Sequence, residues 1–321
     1  MSWINPYTLQ VLGFLVLNLL LALSIYITLA TGQLSLGQAG FMSIGAYTAA
    51  ILGQSFHFPF LLSLLLGALL AGAVALLIGL PTLRLQGLYL AIATLGFGEV
   101  VRVIMINLEI THGALGINGL TSIGTWSQEI LKNIGWTAQN MGVSTQMYKS
   151  ILTLLFLLFL FFLFLSFTLL LTHSKMGRAF HAIKADEIAA LAMGIPITRY
   201  KMLAFVLGAM LAGLGGGLYA HMTTSITPDD FSYHRAVEIL SFAVIGGVEV
   251  VAGPLLGAAF LTAIPEFLRG LSEYKMLFYG GTMLLVMAFR PRGILTDEGI
   301  GLFRKRKEGV RRDSVEMEEV R

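Results

Sequence analysis

Two residues of opposite charge, Glu99 and Arg102, lie three positions apart in the apolar segment LRLQGLYLAIATLGFGEVVRVIMINL. On a helix this spacing places both side chains on one face, where a carboxylate and a guanidinium can form an ion pair. If the segment crosses a membrane, the pair is a candidate site for a coupled ion, because charges in lipid are costly. An ion pair that only stabilises the protein near the outer interface explains the same spacing, and we favour this structural interpretation.

A second group of polar residues alternates with glycines in the stretch GQLSLGQAGFMSIGAYTAAIL. Glycine inside a helix costs about 1 kcal/mol relative to alanine, so its repeated use indicates close packing or a helix break. A break at membrane depth is tolerated only inside the protein or along a watery cavity, which would suit a solute pathway. Ordinary packing of small residues is an equally weighted alternative. The candidate pathway residues are Gln33, Ser35, Gln38, Gly40, Ser43 and Gly45.

A charged insert, SKMGRAFHAIKADEIAALAMGIPITRYK, occupies residues 174–201 and carries five of the 21 Lys and Arg residues. Its centre predicts a short helix in which an aspartate caps the N-terminus, a glutamate favours the positive dipole end and a glycine ends the last turn. A solvated loop helix that only contributes positive charge to the cytoplasmic side is the plainer interpretation. The residues that define this helix are Asp186, Glu187, Ala189, Ala190 and Gly194.

The remaining residue types favour neither an enzyme nor a metalloprotein. The six histidines show no close metal-ligand spacing, and the chain contains no cysteine, so no metal site is predicted. The chain also lacks a G-x-x-x-x-G-K-[ST] phosphate loop, so we expect it not to bind ATP in that way. We therefore predict no catalytic residue and no cofactor bound by this chain.

The elements that position these residues are membrane helices. The chain has 321 residues, of which 56% are hydrophobic and 12% are charged, whereas a soluble domain carries about 25% charged residues. Runs of about 20 apolar residues are long enough to cross a bilayer as helices. About eight to ten such segments are expected in an all-α bundle. We place nine at about 7–30, 38–53, 59–80, 85–106, 148–172, 202–221, 237–252, 254–271 and 275–290.

Basic residues set the expected orientation. Nine Lys and Arg residues follow position 288, so the charged tail 296–321 is placed in the cytoplasm, after a membrane domain that spans 1–295. Counting spans backwards puts 173–201 inside the cell and 107–147 and 222–236 outside. The N-terminus lies outside if 38–53 is a true span, although this short segment could also enter and leave on one side. The Gly-rich THGALGINGL should form turns, and TWSQEILKNIGW a short helix on the membrane surface.

The pattern DEIAALAMGIP resembles the coupling-helix loop of ABC importer permeases, which docks into a groove on the ATPase. Ala189, Ala190 and Gly194 have the spacing of that signature, whereas Ile188 replaces its acidic residue and Glu187 lies one position earlier. This offset is similar to that of the branched-chain amino acid permeases. Further segments resemble their M-type subunit, among them SLGQAGFMSIGAYTAAIL, THGALGINGL, GGVEVVAGPLLGAAFL and FRPRGIL, in order from about residue 35 to 295.

The resemblance implies a multi-pass permease of the bacterial inner membrane, with a bundle like that of type II importer permeases. Its implied partners are a second, related permease, two cytoplasmic ATPases that hold ATP and magnesium, an external solute-binding protein and membrane lipid, but no nucleic acid. The implied cargo is branched-chain or other neutral amino acids.

Three alternatives remain open. Urea or a short amide would be carried by a related branch of the same family. An ion-coupled secondary transporter would need ionisable residues near the midplane, and it would leave the charged insert unexplained. A membrane enzyme would need convergent catalytic groups, which the sequence does not provide.

Overall fold

The computed structural model describes residues 5–133 and 144–267 and, beyond these ranges, positions 280, 281 and 284. Eleven α-helices form within the two ranges, and five of them are long and apolar enough to cross a membrane. The prediction of an all-α membrane bundle is confirmed. The helices are α1 (Pro6–Leu29), α2 (Gln38–Gln54), α3 (Phe60–Thr82), α4 (Leu88–Asn107), α5 (Ile123–Asn133), α6 (Thr145–His173), α7 (Lys175–Ala185), α8 (Glu187–Ala192), α9 (Ile197–Thr223), α10 (Tyr233–Gly246) and α11 (Ala252–Phe267).

Eight of the nine predicted spans overlap helices. The ninth, 275–290, lies largely outside the described residues, and the tail 296–321 lies wholly outside them. The predicted bounds 237–252 are wrong for α10. This helix begins earlier, at Tyr233, because Glu99 accepts its first N–H group, and it ends at Gly246 because Gly247 takes a φ of 98°. In GGVEVVAGPLLGAAFL a short turn follows α10, and α11 then packs back against α10.

The bundle is organised around α2, which is buried along most of its length. α3 and α9 flank it, and α1 packs against α6, α9 and α11. Glycine allows the closest of these approaches, because a Cβ on Gly45 would lie 2.0 Å from the carbonyl oxygen of Gly213 in α9. The polar stretch that begins at Gln33 is therefore held inside the protein, shielded from lipid.

The connections gather at two ends of the bundle. At the first, β1 (Ile117–Asn118) pairs antiparallel with β2 (Ser225–Ile226), so the loops that follow α4 and α9 lie at the same end. This region is rich in the turns expected of THGALGINGL, and the predicted short helix is present as α5, whereas its position on the membrane surface stays a prediction. At the other end lie α7, α8, the break between α1 and α2, and the turn between α10 and α11. We call these the strand end and the α8 end.

Candidate coupling and translocation sites

The helix α8 is short and capped at both ends. The Asp186 carboxylate accepts hydrogen bonds from the backbone N–H groups of Ile188 and Ala189, at 2.8 and 3.1 Å. At the C-terminus Gly194 has a φ of +79°, its N–H donates to Leu191 O at 2.9 Å, and the next N–H, of Ile195, donates to Ala190 O at 3.1 Å. These two bonds form a Schellman motif, which requires the left-handed glycine. The predicted helix boundaries therefore agree with the structure.

The outer face of α8 is apolar. Ile188, Leu191 and Met193 are 82%, 61% and 82% exposed, whereas Ala190 is buried against the rest of the protein and Ala189 is exposed beside the large side chains. Sequence reasoning named the alanines and the caps but missed these three residues. A signal was present, because so short a helix can bury only one side and its apolar residues outnumber the positions available on that side.

Glu187 pairs with Lys201, in the second turn of α9. The sequence analysis assigned this carboxylate only to the positive end of the helix dipole. Its ion pair is internal to the chain, since the Lys201 residue is only 8% exposed. The two residues are 14 positions apart in sequence, so a local pattern could not predict that they form a pair.

The break between α1 and α2 is buried and polar. Gln33 Nε2 donates to Thr31 Oγ1 at 2.8 Å and to the backbone oxygen of Lys201 at 2.9 Å. Ser35 Oγ accepts from the Gly37 N–H group at 3.2 Å. Because these groups bond to one another, the chain can reverse direction inside the protein without exposing its backbone to lipid.

The same region holds buried polar atoms without a hydrogen-bond partner in the described part of the chain. Two of them, Gln33 Oε1 and Gln38 Oε1, belong to the break and the start of α2, and two more, Ser43 Oγ and Tyr47 OH, follow along α2. A buried polar atom left unpaired costs about 1–3 kcal/mol. These atoms are consequently suited to bind water or a passing polar solute.

The glycines named with them have a packing role. A Cβ on Gly40 would lie 2.9 Å from the Gly98 Cα atom of α4, and Gly45 is in closer contact still with α9. Both glycines face neighbouring helices at these points. The structure thus divides the six candidate pathway residues into polar side chains and packing contacts.

The predicted partners Glu99 and Arg102 are in contact, with Arg102 Nε 2.8 Å from Glu99 Oε2. They are 33% and 26% exposed, and each has a further contact: Arg102 Nη1 lies 3.0 Å from Asp229 Oδ1, and Glu99 Oε1 accepts from the Tyr233 N–H group at 2.9 Å. The pair therefore joins α4 to the beginning of α10, with the carboxylate at the positive end of that helix. This geometry favours the structural interpretation.

A second polar network was not predicted. Arg235 of α10 donates to Glu238 at 2.6 Å and to the side-chain oxygen of Asn18, in the middle of α1, at 2.9 Å. The Asn18 amide in turn donates to Thr262 Oγ1 of α11 at 3.0 Å. These residues are far apart in the sequence, and the Arg235 to Glu238 spacing was hidden because the predicted span began at 237.

Five helices long enough to cross a membrane, a buried polar break towards the α8 end and a capped helix outside the bundle define a multi-pass membrane protein. Within that class, the chain belongs to the family described as "Branched-chain amino acid transport system / permease component", which it matches over residues 7–287. The resemblance drawn from the sequence is confirmed.

Three relatives show the range of this likeness. The chain is similar to the high-affinity branched-chain amino acid transport system permease protein LivM of Salmonella typhimurium, with 36% identity over 272 residues, 83% of this chain and 64% of LivM. LivH, a permease protein of the same system and organism, is 30% identical over 131 residues, 40% of this chain and 42% of LivH. The L-arabinose ABC transporter permease protein AraH of Azospirillum brasilense is 26% identical over 281 residues, 84% of this chain and 75% of AraH.

The matched part of the chain spans 64% of the length of LivM, less than two thirds. No solved structure matches the chain, so the predicted likeness to type II importer bundles stays a prediction.

Proposed function

We propose that this protein is a membrane-spanning permease subunit of an ATP-driven importer, which translocates branched-chain or other neutral amino acids delivered by an external binding protein. Membership of the branched-chain amino acid permease family and the similarity to the permease protein LivM support this proposal. The subunit transports and does not hydrolyse ATP. ATP and magnesium are held by separate ATPase subunits.

The exposed apolar face of α8 is the observation that carries the proposal. Three large apolar side chains are exposed on a short, doubly capped helix that lies outside the five membrane-length helices. An exposed apolar patch of this kind is typical of a protein interaction site. In the proposed importer the α8 end faces the cytoplasm of a bacterial inner-membrane protein, and this face contacts an ATPase.

The further partners follow from the same assignment. We propose pairing with a second, related permease, because LivM and LivH of one organism are two permease proteins of one system and this chain is similar to both. The strand end then faces outward, towards the binding protein. The solute passes near the polar groups of Gln33, Ser35, Gln38 and Ser43, while Gly40 and Gly45 set the helix spacing around them.

Docking through α8 is tested by co-purification of the ATPases with the membrane complex. We expect Leu191→Asp to abolish co-purification, because it places a charge in the centre of the apolar face. Leu115→Asp is the matched control, since Leu115 is 79% exposed at the strand end, on the opposite side of the bundle. The ATPase should stay bound in this control. Retention of the ATPase by Leu191→Asp, at normal abundance, would refute docking through α8.

The solute class needs its own experiment, because the similarity to AraH extends the likeness to a sugar permease. We would measure uptake of labelled leucine, alanine, glutamine, urea and arabinose in cells with and without the chain. The proposal expects ATP-dependent uptake of leucine above the other solutes. Uptake of urea or arabinose alone would reassign the substrate, and uptake that persists without the ATPases would favour a secondary transporter.

A further inference from the structure

Lys201 contacts two separate elements of the structure, α8 and the break between α1 and α2. Its ammonium pairs with Glu187 at the start of α8, and its backbone oxygen accepts a hydrogen bond from Gln33 in the break between α1 and α2, at 2.9 Å. One residue of α9 therefore joins the exposed docking helix to the buried polar break. These contacts connect residues that are 14 and 168 positions apart in sequence.

Both contacts are specific. A lysine that is only 8% exposed requires a partner, because burial of an unpaired charge is costly, and Glu187 is that partner. Gln33 is also buried, and its amide divides its two hydrogens between Thr31, within the break, and Lys201. A displacement of α9 at this point must therefore stretch the Gln33 bond or move Gln33 with it.

A second set of contacts joins the break between α1 and α2 to α7, the helix that precedes α8. Gly32 of the break has a φ of +76°, and a Cβ at that position would lie 3.6 Å from the Lys184 Cα atom of α7, so the two backbones are adjacent. Lys184 Nζ donates to the Val248 backbone oxygen, in the turn between α10 and α11, at 2.9 Å. The helix α7 thus rests on both the break and this turn, and it packs against α8. A displacement of α8 that carries α7 with it would act on the bundle at these points as well.

We propose that Lys201 is a positioning residue that transmits displacement of α8 to Gln33, and so adjusts the polar break as the importer changes state. The inference rests on the proposed function, since it requires an ATPase that binds α8 differently in two states. ATP can shift a conformational balance only through such differential contact. The Glu187 to Lys201 to Gln33 chain gives that contact a defined route into the bundle.

The test uses the complete complex with its partner permease, ATPases and binding protein, reconstituted in vesicles with leucine as the solute. Three quantities are measured: ATPase co-purification, ATP hydrolysis without solute, and leucine transported per ATP hydrolysed. For Lys201→Met we expect the first two to stay at parental values and the third to fall about threefold to tenfold, within the range by which coupling residues act. Lys201→Arg keeps the charge and should restore most of the ratio.

Arg199→Met is the matched control, because Arg199 is an exposed basic residue two positions earlier on α9. It should leave leucine per ATP unchanged. Gln33→Leu is a second variant that does not touch α8, so it should lower the ratio without affecting docking. The combination of Gln33→Leu with Lys201→Met should lower it no further than one change alone, because both interrupt a single route.

The outcomes separate the two proposals. If the parental complex takes up neither leucine nor any other neutral amino acid with ATP, the proposed function fails. If the parental complex is coupled but Lys201→Met or an assembled Gln33→Leu complex keeps the parental ratio, the transmission role is wrong. Loss of ATPase binding in Lys201→Met, or an equal loss of coupling in Arg199→Met, would also overturn it, because the effect would then arise from docking or from general charge.

Discussion

Replacing Gly45 by alanine should destabilise the bundle, although alanine is the better helix former. Gly45 lies in the middle of α2, where its missing side chain lets α9 approach. An added Cβ would lie 2.0 Å from the Gly213 carbonyl oxygen and 2.5 Å from the Gly213 Cα atom. All of these contacts are with backbone, so no flexible side chain can rotate away. The helices must separate or tilt.

The size of this destabilisation depends on two opposing free-energy contributions, the cost of overpacking and the gain in helix propensity. Overpacking of a well-packed interior costs about 1–3 kcal/mol and occasionally more, and a rigid backbone contact belongs at the upper end. Replacing a helical glycine by alanine gains about 0.5–1 kcal/mol. We therefore expect Gly45→Ala to lower the free energy of unfolding by about 2–2.5 kcal/mol.

Gly53 provides the control within the same helix. Its Cβ would lie 3.8 Å from His221 Cε1 and 4.0 Å from Ser63 Oγ, which are ordinary contact distances. Gly53→Ala should therefore be neutral or slightly stabilising. The assay is thermal unfolding of each purified chain in detergent, followed by tryptophan fluorescence and by recovery of the monodisperse peak. Equal midpoints for Gly45→Ala and the parent, or an equal loss in Gly53→Ala, would show that close approach of α2 and α9 does not govern stability.

Two further predictions concern the charged network and the cap of α8. Glu99→Gln should lower the free energy of unfolding by only about 1 kcal/mol, because the pair with Arg102 is partly exposed. The same unfolding assay checks this value. A loss of transport at normal stability would instead indicate a functional ion site. Gly194→Val should strain the left-handed cap by about 1–3 kcal/mol, while no atom lies within 4 Å of the new Cβ. Membrane insertion should therefore survive and solute-stimulated ATP hydrolysis should be lost; parental hydrolysis and uptake in the reconstituted complex would contradict the role of α8.

The sequence predicted those features that depend on local chemistry. The break after α1 was placed correctly because Gly32 and the polar residues around Gln33 interrupt an apolar run. The helix α8 was recognised because Asp186 and Gly194 are capping residues at the correct spacing. Both features are fixed within a few residues by backbone geometry, which a sequence pattern records directly.

The contacts that organise the candidate sites were not predictable in the same way. The pairing of Glu187 with Lys201 and the Gln33 bond to α9 depend on how separate helices pack. The early start of α10 depends on Glu99, a residue 134 positions away. A local sequence pattern does not predict these contacts, because the same polar side chains are equally compatible with exposure to solvent.

The short length of α10 can explain why acidic residues lie near the strand end. Its 14 residues extend only about 21 Å, less than the roughly 30 Å thickness of the hydrocarbon core. If α10 crosses the hydrocarbon core, a connection at one of its ends lies partly at membrane depth, where every irregular backbone group needs a partner from the protein. β1 supplies partners to β2, Asp230 Oδ2 accepts from the Thr227 N–H group at 2.7 Å, and Glu99 accepts from the first N–H group of α10. Carboxylates are effective here because each can accept several N–H bonds, so acidic residues in this region satisfy the backbone of a connection that lipid alone would not tolerate.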